Sequence, residues 1–129
     1  MRKEHMDMLK ELLAGEPTEK LMNLILWFVG RSQEINFSMI GKMLIITYFK
    51  WSTECSGSTV TDHAERHIVV VDLKKTKTVG MNCERNLFRT TWDGVVGHKY
   101  SIEIKDKKIE KGKVMLSFWD YTSVEVKIK

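Results

Sequence analysis

The chain carries a single proline and only two cysteines in 129 residues. One proline rules out a proline-rich linker or recognition tract. Two thiols, Cys55 and Cys83, fall far short of the density of a secreted disulfide scaffold, so they read as reduced thiols of an intracellular, cytoplasmic protein. Long apolar runs are missing as well. The longest extends from Leu24 to Val29, against the roughly 20 residues a membrane-spanning helix needs, so no membrane span is expected. Glu4, Asp7 and Glu11 interrupt the N-terminal stretch, which excludes an unbroken hydrophobic core of a secretory signal. No glycine-rich phosphate loop, HExxH, GxSxG or dinucleotide fingerprint occurs, and no cofactor is expected.

What is present is ordinary globular composition with an uneven charge. Residues 1–73 hold 8 basic against 10 acidic side chains, whereas residues 74–129 hold 13 against 7. The net charge of +4 therefore belongs to the second half. That asymmetry suits an anionic partner such as nucleic acid, and a solvated, mixed-charge face produces the same count.

Two amphipathic helices open the chain. Met6, Leu9 and Leu13 recur at helical spacing over residues 2–14, and Leu21, Leu24, Ile25 and Phe28 do so over 17–30. Gly15 reads as a helix stop and Pro17 as the first position of the second helix. From Ile35 the period becomes two. A Gly41-Lys42 type II′ turn would set Met39 opposite Leu44, Phe37 opposite Ile46 and Ile35 opposite Tyr48. Residues 52–66 are polar and read as a long loop. His67 to Leu73 is an unalternating β-branched run, expected as a central strand buried on both faces. Residues 74–98 contain about two strands, with a turn at Asp93-Gly94. Alternation around Tyr100 to Ile104, Val114 to Phe118 and Val124 to Ile128 predicts a three-stranded meander with turns over 106–112 and 120–122. The fold expected is a single α+β domain over 1–129. Its N-terminal helical hairpin (1–33) packs on one curved antiparallel sheet of about six or seven strands (35–129).

Four sets of residues carry candidate chemistry. Lys105, Lys107, Lys108, Lys111, Lys113, Lys127 and Lys129 around Trp119 would suit single-stranded nucleic acid, lysines tracking phosphates while an indole stacks on bases. Glu103, Glu110 and Glu125 lie on the same strands and turn and would pair with those lysines. Met6, Met8, Leu26, Trp27 and Val29 exceed what one buried helix face needs and suit self-association or a protein partner. Cys55, His63 and His67, with Asp62 and Cys83, offer a thiolate–imidazole set for a metal or a nucleophilic thiol, without the paired CxxC of a zinc ribbon. Asp72 and the Glu103-Ile104-Lys105 and Glu125-Val126-Lys127 triplets could align carboxylates on a nuclease metal. The expectation is a non-enzymatic binding or interaction protein acting through surfaces, homodimeric through its hairpin. A single-stranded nucleic-acid binder and a small metal-dependent nuclease or hydrolase are the alternatives.

Overall fold

The computed structural model describes residues 1–57, 59–91, 94–97 and 101–129, with backbone alone described for 52–54, 56, 59–63, 85–91 and 94–97. Helix α1 (Lys3–Leu13) ends in a left-handed turn at Ala14, where the Gly15 N–H returns to the Lys10 carbonyl. Helix α2 (Glu19–Val29) starts two residues later than Pro17 predicts. Thr18 is the N-cap, and its hydroxyl accepts from the Leu21 N–H, which satisfies an otherwise orphaned helix donor.

The strands are β1 (Ile35–Ile40), β2 (Met43–Ser56), β3 (Thr59–Asp72), β4 (Lys77–Thr91), β5 (Gly94–Gly97), β6 (Ile104–Glu110), β7 (Lys113–Phe118) and β8 (Ser123–Lys127). All pairings are antiparallel. They form two sheets, ordered β1-β2-β3-β4-β5 and β6-β7-β8, so the fold is α+β but not a single curved sheet. The first sheet carries the helices on one face and the second sheet on the other. Leu9, Leu21, Ile25 and Val29 pack on Leu44, Ile46, Tyr48, Val69 and Val71. On the opposite face Ile45, Ile68 and Val70 meet Val114, Leu116, Phe118, Val124 and Val126. Two cores thus share one central sheet, and Ile68 to Val71 are fully buried because β3 is covered on both sides.

The β1–β2 register is the expected one, with Met39 opposite Leu44, Phe37 opposite Ile46 and Ile35 opposite Tyr48. Gly41 takes φ +58 and Lys42 no positive φ, as a type II′ turn requires. The polar stretch 52–66 is not a loop. It continues β2 and β3 as a long hairpin with Ser52 opposite His63 and Ser56 opposite Thr59. Thr53, Thr59, Thr61 and Val60 lie in it, and such residues extend a strand as readily as they populate a loop. The first strand of the meander is also displaced: it begins at Ile104 and runs through residues assigned to a turn. The reversal shrinks to Lys111 and Gly112, at φ +52 and +74, which is the pattern of a type I′ turn. Tyr100 and Asp93 lie outside the described residues.

Candidate functional site

A cleft of about 570 Å³ opens where the start of α1, the residues ahead of β1, the far half of β2 and the approach to β6 converge. Its lining includes Phe49, Trp51, Ile35 and Ile102 as apolar surface, with Glu4, Glu34 and Glu103 as carboxylates and Arg2 as a cation. A smaller hollow of about 290 Å³ adjoins it, sharing Gln33, Glu34, Phe49 and Trp51 and adding Arg31. Arg2 is tied to the Gln33 side-chain carbonyl at 2.9 Å. The combined volume and the mixture of aromatic surface with a few polar groups are those of a ligand site.

His5 is the unusual member. It is 8% exposed, and its Nδ1 is buried without a hydrogen-bond partner among the described residues. Burial pushes its pKa below the ordinary value, against the pull of Glu4 and with the help of Arg2 and the N-terminus. The ring is therefore neutral at pH 7.

One wall of the cleft is held by a buried arginine that the sequence reading did not single out. Arg66 is wholly buried on β3, on the face toward the second sheet. Its Nε and Nη2 donate to the two Glu84 oxygens at 2.8 and 2.9 Å, Nη1 to the Ser101 carbonyl and Asp120 Oδ2, and Nη2 also to Thr122 Oγ1. All five guanidinium donors are engaged, and the plane lies 3.8 Å from the centre of the Phe118 ring. Asp120 also accepts from the Ser101 N–H at 2.7 Å, while the Thr47 hydroxyl donates to the Ile102 carbonyl. Residues 101–103 are thereby clamped against the first sheet as the cleft wall. Burial alone would raise the Asp120 pKa, but hydrogen bonds from Thr122 and from the Ser101 and Thr122 amides, with the Arg66 charge, outweigh it and hold the carboxyl below its usual value. The signal in the sequence was an arginine at inward-facing alternation two residues before Ile68.

The lysine and Trp119 face does not assemble as a basic stripe. On the outer side of the second sheet Lys113 pairs with Glu125 at 3.2 Å and Lys108 with Glu110 at 3.1 Å. Lys107 instead reaches across to the Ser38 hydroxyl on β1. Lys105 places its ammonium 5.4 Å from the Trp119 ring and 5.5 Å from that of Tyr121, so the exposed indole already faces a cation. Positive charge gathers elsewhere. The β1–β2 turn contributes Lys42, the β3–β4 turn Lys74, Lys75 and Lys77, the β6–β7 turn Lys111 and Lys113, and the last residues Lys127 and Lys129. Backbone bonds from Leu73 to Lys42, Ile128 to Gly112 and Lys129 to Val79 bring these turns to one end of the molecule. The cleft lies toward the other end.

Among the hairpin candidates, Val29 is fully buried and so belongs to no surface, whereas Met8 is half-buried and packs against the helix-side core. Met6 is half-buried. Leu26 is exposed, and Trp27 is 82% exposed. The metal candidates separate, because on a strand four residues span about 13 Å and Cys55 is seven residues beyond Tyr48, the partner of His67. His67 meets Glu65 and Cys83 instead. Asp72 accepts from the Lys74 N–H at the lysine-rich end, eight residues along β2 from Trp51, whereas Glu103 lines the cleft. The nuclease carboxylates are thus not brought together.

Comparison of the chain with models of known protein families, with curated proteins and with solved structures finds no match.

Proposed function

We propose that the protein is a non-enzymatic binding protein acting through its surfaces, with the cleft beside His5 as its working site. The observation that carries this reading is the partnerless Nδ1 of a buried, neutral histidine beside that cleft. Leaving such an atom unpaired costs about 1–3 kcal/mol, and because it has no accessible surface in this conformation the ring has to turn toward the cleft before a ligand's polar group relieves that cost. Carboxylates at Glu34 and Glu103 with aromatic surface at Phe49 and Trp51 favour a cationic group on an apolar stem. A basic side chain of a partner protein has that chemistry. The test is a titration of isotope-labelled protein with a short peptide of arginine and aromatic residues, followed by NMR. Shifts are expected at the Trp51 indole and at residues 101–103, and a Glu34→Gln/Glu103→Gln variant should weaken them. Shifts confined to Trp27 or to the lysine-rich end would overturn the assignment.

A second reading rests on Trp27. A tryptophan this exposed beside Leu26 is the kind of residue that anchors interfaces. A second copy of the chain, pairing the two α2 surfaces about a two-fold axis, would bury it twice. Light scattering should show a dimer that Trp27→Ala dissociates, and a monomer at all concentrations would remove this reading. An anionic partner such as nucleic acid would meet the lysine-rich end rather than Trp119.

A further inference from the structure

Glu65 and His67 are two residues apart on β3 and therefore share one face, and Cys83 stands directly opposite His67 on β4. The His67 Nε2 lies 3.4 Å from Glu65 Oε1 and 3.6 Å from Cys83 Sγ, and the three ligand atoms all fall within 4.8 Å of one another. A tetrahedral ion with metal–N and metal–O bonds of about 2.0–2.1 Å and a metal–S bond of about 2.3 Å has N···O and N···S edges of about 3.4 and 3.6 Å. The two separations from His67 match those edges, and the Glu65–Cys83 pair lies within 4.8 Å. A hydrogen-bonded cluster explains them less well, because one ring N–H would have to be shared between both neighbours, and 3.4 Å is long for such a bond.

The imidazole is also held in place. Its ring stacks on the buried Tyr48 ring at 5.1 Å and 14°, so it does not have to be ordered on binding. Cys83 is exposed, which leaves a route for an ion to enter. Its other conceivable partner is remote: Cys55 is seven residues along β2 from the position opposite His67, about 23 Å of strand and beyond disulfide reach. The cluster lies on the helix-side face of β3, whereas Ala64 contributes to the cleft from the opposite face, so the two sites are independent.

We propose that Glu65, His67 and Cys83 form a binding site for a borderline divalent metal of the zinc class, with the fourth position left to water or a further donor. Thiolate and imidazole disfavour magnesium and calcium, which take oxygen ligands. Binding converts the Cys83 thiol to a thiolate, with the proton released to solvent, and takes His67 as neutral imidazole.

The test uses the reduced full-length protein, stripped with a chelator and titrated with Co²⁺ alone. The expected result is one-to-one saturation with a thiolate-to-cobalt charge-transfer band and a tetrahedral visible spectrum, both displaced by Zn²⁺. Cys83→Ser should abolish the charge-transfer band, Glu65→Gln should weaken binding at least tenfold, and Cys55→Ser should change neither. Absence of saturable binding, a band that survives in Cys83→Ser, or one lost in Cys55→Ser would overturn the site. Because Cys83 is exposed, its serine variant should keep the unfolding midpoint of the metal-free protein, which separates loss of the site from loss of the fold.

Discussion

Replacing Arg66 by methionine removes the cation from the middle of the molecule and leaves its partners behind. Glu84 and Asp120 have side chains only 22% and 10% exposed, so both carboxylates would be stranded in poorly solvated positions. Five donated hydrogen bonds disappear with them, as does the stack on Phe118. Breaking a buried ion pair from one side costs about 3–5 kcal/mol. For 129 residues the unfolding entropy near the midpoint is about 0.27 kcal/mol per kelvin, so Tm should fall by about 11–18 °C. Urea denaturation should show the midpoint moving with little change in slope, because the area exposed on unfolding is nearly the same. Residues 101–103 lose the Ser101 clamp, so amide exchange there should rise more than in β3. A triple variant that adds Glu84→Gln and Asp120→Asn should recover part of the loss, since the charges left unpaired go with the arginine. A loss below about 1 kcal/mol in Arg66→Met would refute the argument, and a triple variant no better than the single one would move the cause from charge to packing.

The close approach of β8 to β4 makes a second prediction. A Cβ at Gly80 would lie 2.6 Å from the Lys127 carbonyl oxygen and 2.9 Å from Val126 Cγ1, so Gly80→Ala should cost about 1–3 kcal/mol by pushing the sheets apart. Loss of protection at the Lys129 amide, which donates to Val79, would report it. Acid should act in two stages. His5 has a lowered folded-state pKa, so the unfolded chain takes up the proton first; its contribution is complete above 6.5 and is lost as pH falls from there through the folded value. Asp120 is likewise depressed, and its contribution is present above 3.8 and disappears as pH falls through its lower folded value. Urea midpoints across the acid range should lose the first slope in His5→Gln and the second in Asp120→Asn; unchanged profiles would count against both assignments. For the lysine-rich end, Lys74→Glu/Lys75→Glu/Lys77→Glu should elute from a heparin column at markedly lower salt than Lys105→Glu/Lys108→Glu, because phosphate-like contacts follow the density of unpaired cations. Equal elution would sink that placement.

Much of the local structure could be read in advance. Alternation fixed which residues of β1, β2, β7 and β8 face inward, and Gly41-Lys42 fixed the β1–β2 register. Where the reading failed, the local signal was ambiguous. The threonines and Val60 over 52–66 have enough strand propensity for a paired hairpin, the serines and charged residues enough polarity for a loop, and only the partner strand decides. The β6–β7 turn was hidden because a lysine, not the usual asparagine or aspartate, holds the first left-handed position. The hairpin's surplus apolar residues divided once the helices were seated: Val29 went to the core, and Trp27 stayed outside.

The sequence by itself determined the two helices, the strands with alternating or β-branched apolar runs, their inward faces and the excess of positive charge in the second half, because these depend on period, turn chemistry and composition. Only the tertiary structure decided that the strands split into two sheets, since an apolar strand face reads the same under helices or under another sheet. It also decided the sites. Arg66 meets Asp120 across 54 positions, and His67 meets Cys83 across 16. No local pattern encodes such meetings, which follow from how the strands register and how the layers stack.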